Sequence, residues 1–277
     1  MRTGSTSTLD DRPRASPAKR SRLTMPAAPV RVRTLLARLA ERLHADLARN
    51  LMGLYVYGSL TQDAFEPLRS DIDCVAVIRR RLTSAATSRL RTSLRTLGKS
   101  EPLMRRLQLT ILIRRELLQY DGDGWLFQFG RLTRTGSDGN PIIWRNILKS
   151  GRVLHGPPPR TFLPPITPAL MHAALEREIG YLRAELITKR ASAWRGRSAY
   201  RRYATLTACR ILYTHRTGLI ASKPVAAHWT LRHVPPMHRR LIQRALRTAT
   251  RRLPLAPIRA LLDYVLVRVA RAAMPAA

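Results

Sequence analysis

The sequence predicts an α+β chain in which an α/β half precedes an all-helical half. Three observations carry this reading: strands and amphipathic helices alternate through the first half, a Gly-Pro-Pro-Pro cluster at residues 156–159 interrupts the chain, and four helical segments without a convincing strand follow it. With 277 residues and 45% hydrophobic content, there is apolar material for one large domain or two modest ones. That composition excludes collagen, a disulfide miniprotein and a wholly disordered chain.

Residues 1–29, rich in Ser, Thr, Pro and Arg, bury too little apolar surface to offset ordering entropy and are expected to be a disordered tail. Met25 is an alternative start to Met1. From Val30, the residues Leu35, Leu36, Leu39, Leu43, Leu47 and Leu51 recur at helical spacing between charged residues, which predicts an amphipathic helix. A strand is expected over residues 54–57, broken by Gly58, and a second over 71–78 after a loop containing Pro67. A helix over 84–97 and a strand over 107–113 follow, then an irregular, glycine-bearing stretch over 120–140 and a helix over 142–150 ended by Gly151. Beyond the proline cluster, residues 169–188, 203–217, 238–249 and 258–272 show helical periodicity. The expected division is therefore a tail at 1–29, an α/β domain at 30–157 and a helical domain at 158–277.

Fifty Lys and Arg against 17 Asp and Glu give a formal charge of +33, so anionic partners come first: a nucleoside triphosphate, or nucleic acid through non-specific charge. Only five of the basic residues are Lys, and the arginines are spread through every region, which equally fits Arg-biased coding. After Glu185 the one acidic residue is Asp263, so the helical half is expected to form a positive wall of any cleft. Two cysteines cannot build a disulfide framework, no His/Cys spacing suggests zinc, and no segment approaches the roughly 18 apolar residues of a membrane span. A cytoplasmic protein without membrane association is the expectation.

The chemistry is concentrated in residues 54–78, LYVYGSLTQDAFEPLRSDIDCVAVI. A strand ending in Gly58-Ser59 lets backbone N–H groups approach an anion, because glycine has no side chain to hold a phosphate away. Asp71 and Asp73 are alternate residues entering a strand, so both carboxylates leave the same face. Two like charges held that close repel unless a divalent cation lies between them, and hard oxygen ligands suit Mg²⁺ bridging to substrate phosphates. Each part alone reads as an ordinary turn or solvated strand end; their conjunction does not.

That conjunction resembles the polymerase-beta-like nucleotidyltransferase superfamily. Together with YATLTACRILYTHRTGLIASKPVAAHWTLRHVP in the helical half, it is similar to the streptomycin/spectinomycin adenylyltransferases over most of residues 31–270. The resemblance implies an N-terminal nucleotidyltransferase domain with a mixed sheet and an all-α C-terminal domain. It implies transfer of AMP from ATP to a hydroxyl of a small acceptor, with an aminoglycoside as the candidate and pyrophosphate leaving. Carried over residue by residue, Asp71 and Asp73 would bind Mg²⁺, Gly58 and Ser59 would hold the triphosphate, and Ser70 would line the nucleotide site. Lys223 and Tyr264 would contact ATP from the helical half.

Three departures from the family pattern bear on activity. The family's third acidic residue, the base for the attacking hydroxyl, is replaced by Gln108, and a neutral amide cannot accept that proton; the loss predicts transfer slowed by roughly a hundredfold to ten-thousandfold. Glu116, Asp121 and Asp123 lie just downstream as candidates to return a carboxylate to the cleft. Tyr200 stands where streptomycin-binding members present an aspartate, with Arg201, Arg202 and Arg197 nearby to repel a polycation, and Leu132 stands where they place a stacking tryptophan. Trp125 is expected in the core. Two other readings stand beside the transferase: a catalytically weak nucleotide- or nucleic-acid-binding regulator, and a nucleotidyltransferase acting on RNA or protein.

Overall fold

The computed structural model describes residues 28–120, 122–187, 197–247 and 253–271. The expected tail lies outside these residues, apart from buried Ala28 and Pro29, which precedes the first helix. Helix α1 (Val30–Leu47) forms because Leu35, Leu36, Leu39, Leu43 and Leu47 share one buried face. It stops at Ala48, whose φ of 45° turns the chain out of the helix. Leu51 therefore belongs to β1 (Leu51–Tyr57), which begins three residues earlier than the alternation suggested. β2 (Ile72–Ile78), α2 (Ser84–Ser100) and β3 (Leu107–Ile113) follow, with the Thr83 hydroxyl capping α2 by accepting from the Ala86 N–H at 3.2 Å.

The stretch expected to be irregular is instead a hairpin, β4 (Asp123–Gln128) and β5 (Arg131–Gly136). Its turn residues Phe129 and Gly130 both have positive φ, 52° and 77°. Hairpin turns of that kind ordinarily carry Asn-Gly or Asp-Gly, so a phenylalanine hid the signal. Helix α3 (Pro141–Ser150), capped by Asn140, and a short β6 (Arg152–His155) complete the first half. The strand order is β5-β4-β3-β2-β1-β6, and only β2 and β3 run parallel, joined by the α2 crossover. The sheet is thus mixed.

The two sheet faces bury different partners. Leu54, Val56, Cys74, Ala76, Leu109 and Ile111 pack under α1 and α2. On the opposite face Tyr55, Tyr57, Val75, Val77 and Leu112 pack under α3 through Trp144, whose indole N–H donates to the Leu117 carbonyl at 2.8 Å. Trp125 is buried in the first cluster, as expected of a core residue, and both cysteines are buried and free.

The helical half comprises α4 (Pro168–Ile187), α5 (Arg197–Thr217), α6 (Lys223–His233), α7 (Pro236–Leu246) and α8 (Leu255–Arg271). Central α5 touches each of the other four. Helix α6 has no clear apolar stripe; its buried face is Ala226, Ala227 and Thr230, small residues that escape a periodicity search. Lys223 therefore begins a helix and does not lie in a loop. The halves are tied by α3, which packs on both, by the Lys149 ammonium donating to the Ile220 carbonyl, and by an Arg202–Glu66 ion pair at 3.7 Å. Among the described residues no helix is long and apolar enough to cross a membrane.

Candidate active site

β1 ends in Gly58, whose φ of 79° opens a tight 3₁₀ turn over Gly58–Thr61. The turn is stapled to α3: Gln62 donates to the buried Asn146 side chain, and the Thr61 and Ser150 hydroxyls meet at 3.3 Å. Tyr57 pairs across the ladder with Asp73. A Cβ placed on Gly58 would overlap Asp73 Oδ2 and stand 3.2 Å from its Cγ. The left-handed glycine and the carboxylate are therefore coupled, since any side chain at position 58 would force that carboxylate to shift.

Asp71 lies one residue before β2 and alternates onto the same side as Asp73; both are half-buried. The loop that delivers them is held by Arg106, which donates to the carbonyls of Pro67 and Ser70 and, at 3.3 Å, to that of Glu66. Within this loop the Ser70 hydroxyl accepts from the Glu66 N–H at 2.9 Å, so it shapes the approach to Asp71. Gln108 sits directly beside Asp73 on parallel β3, on the face shared with Val75 and Thr110. The amide thus occupies the strand position where a third carboxylate was expected.

Glu116 and Asp123 do not restore one. The Glu116 carboxylate is buried, accepting from the Asp123 N–H at 2.8 Å and from Arg115 at 3.0 Å, and Asp123 is paired with Arg134 and Arg81. Gly124, next to Asp123, pairs with Leu112, four residues along β3 from Gln108 or roughly 13 Å at the rise of a strand. Asp121 lies outside the described residues.

The helices bring further charges to this sheet face. The Tyr57 phenol is pushed well above its ordinary pKa by burial, then by the negative charges of Asp73 and Asp138, against the opposing charge of Arg210 on α5. The Glu178 carboxyl on α4 is pushed up by burial and by Asp138, against Arg210 and Lys223. Asp138 is open to solvent on one side yet sits deep among protein atoms, and the lost solvation raises its carboxyl against Arg177. Tyr57 is thus linked electrostatically to Asp73, Asp138 and Arg210, and Glu178 to Asp138, Arg210 and Lys223. The Lys223 ammonium lies 4.7 Å from the centre of the Tyr203 ring.

The site residues read from the sequence divide accordingly. Gly58, Asp73 and Gln108 meet at one end of the sheet, Ser59, Ser70 and Asp71 flank them, and Lys223, at the start of α6, lies over Tyr203 and acts on Glu178. Tyr264 packs elsewhere, its ring against His238 of α7 and beneath Arg268, so its described contacts belong to the helical core. Asp138, Glu178 and Arg210 were not singled out from the sequence; Asp138 and Glu178 lie in stretches with no motif, and Arg210, though inside the quoted helical segment, carried no assigned role.

The arginines expected to line the cleft are otherwise engaged. Arg201 is buried and donates to the Leu253 carbonyl at 2.7 Å, and Arg202 donates to the Ala245 carbonyl at 2.8 Å besides pairing with Glu66. Tyr200 is buried, and the Arg197 side chain lies outside the described residues.

Comparison with known proteins agrees with this architecture. Residues 161–253 match the family model of the aminoglycoside adenylyltransferase C-terminal domain. The crystal structure of spectinomycin adenyltransferase AAD(9) from Enterococcus faecialis, with ATP and spectinomycin, superposes with a TM-score of 0.67 at 19% identity, covering 86% of this chain and 99% of that one. A tri-AMPylated Shewanella oneidensis HEPN toxin in complex with MNT antitoxin matches at 15% identity over 56% of this chain and 98% of its own, with a TM-score of 0.29, too low to bear on the fold. No curated protein matches the chain. Residues 161–253 are thus similar to the C-terminal domain of the aminoglycoside adenylyltransferases, and the chain as a whole has the α+β fold of AAD(9).

Proposed function

We propose that the chain transfers AMP from ATP to a hydroxyl of a small acceptor, an aminoglycoside such as spectinomycin being the first candidate. The observation that carries this reading is the packing of the Asp73 carboxylate against left-handed Gly58, at a strand end where Arg210 acts on the neighbouring Tyr57. On this reading the domain at 30–157 holds the triphosphate and the domain at 158–277 closes over it. The turn begun by Gly58 and Ser59 cradles the phosphates with its backbone N–H groups, and Ser70 shapes the nucleotide side of the loop. Arg210 and Lys223 neutralise phosphate charge from the helical side, and Tyr264 supports the helices that carry them.

The carboxylates fit Mg²⁺ in a specific way. Among the described residues no group of three or more His, Cys, Asp or Glu gathers as a metal cage. Two hard carboxylates, Asp71 and Asp73, suit an ion that takes its remaining ligands from phosphate oxygens and water. When bound, Mg²⁺ supplies neutralisation of the charge that develops on the leaving pyrophosphate. Such chemistry belongs in the cytoplasm, where ATP is available.

The test is a labelled-ATP transfer assay with spectinomycin and streptomycin, run beside thermal melts with Mg²⁺ and ATP. Label in a small product, with nucleotide stabilisation lost in Asp73→Ala, supports the proposal. Stabilisation that survives Asp73→Ala refutes the site. Gln108 beside Asp73 favours a second reading, a nucleotide-binding relative with weak transfer; under it, nucleotide stabilises the protein and no acceptor is labelled.

A further inference from the structure

At the end of the sheet away from Asp73, a cavity of about 490 Å³ opens between α1, the start of β1, the end of β2 and the end of β6. Its lining is His44, Ala48, Arg49, Leu51, Arg79 and His155, four basic side chains and no carboxylate. Leu51 lies six residues before Tyr57 on β1, which puts the cavity roughly 20 Å from Asp73 at the rise of a strand. We propose that this cavity is a second ligand site, which binds the phosphate group of a small molecule, either free phosphate or a phosphate monoester. The proposal stands independently of the transferase reading.

Three observations support it. First, the frame is fixed. The Arg79 N–H donates to the Asn50 carbonyl at 2.9 Å, the Arg80 N–H donates to the Asn50 side-chain oxygen at 2.8 Å, and the Asn50 amide donates back to the Arg80 carbonyl at 3.0 Å. Arg79 Nε donates to the Arg49 carbonyl at 3.2 Å, which leaves both terminal nitrogens of that guanidinium to a ligand. Ala48, with φ 45° and ψ −125°, holds a backbone conformation that L-residues rarely adopt, and this bend carries the chain from His44 to Arg49. On the other wall His155 pairs with Leu54, and a Cβ on the following Gly156 would overlap the Met52 carbonyl oxygen, so the end of β6 lies close against β1.

Second, the fold brings two imidazoles together from distant segments. The rings of His44 and His155 have centres 5.2 Å apart and planes inclined at 56°. Burial and then His44 hold the His155 imidazole below its ordinary pKa. A bound dianion reverses that bias by stabilising the protonated ring, so binding takes up a proton. The charged groups that line the cavity with the pair are Arg49, from the turn after α1, and Arg79, at the end of β2. Glu41 and Asp46, the carboxylates of α1 nearest His44, lie outside the lining, and Asp46 lines the groove between α1 and α2 instead.

Third, the charge here is unspent. No carboxylate among the described residues forms an ion pair with Arg49 or Arg79. A phosphate dianion offers adjacent oxygens to a guanidinium fork and two charges to two arginines. A divalent cation would gain two imidazoles but meet two guanidinium charges. The volume exceeds that of a phosphate ion, and Ala48 and Leu51 supply an apolar surface for the remainder of a monoester.

The experiment titrates inorganic phosphate and glycerol 3-phosphate calorimetrically into wild type, Arg79→Gln, Arg49→Gln, His44→Gln/His155→Gln, Asp73→Ala and Arg95→Gln, the last an exposed arginine of α2, in roughly 150 mM salt. Arg79→Gln and Arg49→Gln should each weaken binding by about tenfold or more, and Arg49→Gln keeps the carbonyl that Arg79 bonds. Arg95→Gln and Asp73→Ala should stay within about twofold of wild type. Wild-type affinity should rise as pH falls from about 8 to 6.5, and the double histidine variant should lose that rise. Glycerol 3-phosphate bound more tightly than phosphate identifies a monoester as the ligand; equal or weaker binding identifies free phosphate. Absence of binding by both anions overturns the proposal. Equal losses in Arg95→Gln and Arg79→Gln overturn it as well, because the anion is then held by surface charge at large. Binding abolished by Asp73→Ala does so by moving the anion to the other end of the sheet. Zn²⁺ binding that is lost in the double histidine variant, in a protein that binds neither anion, assigns the cavity to a cation instead.

Discussion

Gly58→Ala perturbs the site with the least change in chemistry, and its cost can be worked from two features. The φ of 79° is left-handed, and placing an L-residue there costs about 1–2 kcal/mol. The added methyl would also overlap Asp73 Oδ2 and crowd Cγ at 3.2 Å, so the carboxylate must move. The backbone cost alone corresponds to a fall in Tm of roughly 2–8 °C. The displaced carboxylate should in addition abolish stabilisation by Mg²⁺ and ATP. The two contributions separate in a double-mutant cycle with Asp73→Ala, because removing the carboxylate removes the overlap and leaves the backbone cost. A favourable coupling of about 0.5–3 kcal/mol between the substitutions is expected, read from melts of the four proteins without nucleotide. Additive effects, or a Gly58→Ala protein with full nucleotide stabilisation, refute the claim that Gly58 and Asp73 are coupled.

Trp144 fills the interface between the sheet and α3 and is fully buried, so Trp144→Ala should cost about 3–5 kcal/mol; urea unfolding that shows a loss below about 1 kcal/mol would contradict the packing. His155, His215 and His238 are each held below the ordinary imidazole pKa, chiefly by burial. Their neutral forms favour the fold, so their contribution is full above the unfolded pKa near 6.5 and is lost as pH falls below it. Tm should drop between about pH 7 and 5, and His238→Gln should flatten that drop. Asp138 and Glu178 act with the opposite sign, since their raised carboxyls contribute most below the ordinary carboxylate range and lose that contribution as pH rises through their folded values. ATP bound near Arg210 and Lys223 adds negative charge beside Glu178 and should draw a proton onto it. Calorimetry in buffers of different ionisation enthalpy reads that uptake, which Glu178→Gln should remove.

The fold was legible where one face of an element is buried and unreadable where packing rests on small residues or turn geometry. The leucine ladder of α1 and the β-branched runs of β2 and β3 announce themselves. Helix α6 does not, because its buried face is two alanines and a threonine, and the β4–β5 hairpin hides behind Phe129 in a left-handed turn. The site divides in the same way. Asp71 and Asp73 follow Gly58 by 13 and 15 residues in a single motif, so local spacing exposes them. Asp138, Glu178 and Arg210 come from three separate elements, and their relation to one another exists only once α3, α4 and α5 have packed on the sheet.

The formal charge of +33 is a poor guide to the cleft because many of the arginines near it are committed to structure. Arg106 holds the loop before Asp71, Arg201 and Arg202 tie α5 to carbonyls of the segments beside it, Arg183 pairs with Asp263, and Arg268 lies over Tyr264. A guanidinium bonded to a carbonyl in the interior fixes geometry and gives little long-range field to a ligand a Debye length away. What surrounds Tyr57 and Glu178 is a set of mixed sign, with Asp73 and Asp138 against Arg210 and Lys223. On the proposed transferase reading, a triphosphate would satisfy the cations of that set and an amine-bearing acceptor its carboxylates, although the protein as a whole would repel the second. Raising salt should therefore weaken general attraction of anions to the surface far more than it weakens nucleotide stabilisation at the site. Equal salt sensitivity of the two would mean that nucleotide is held by net charge and not by the geometry at Gly58 and Asp73.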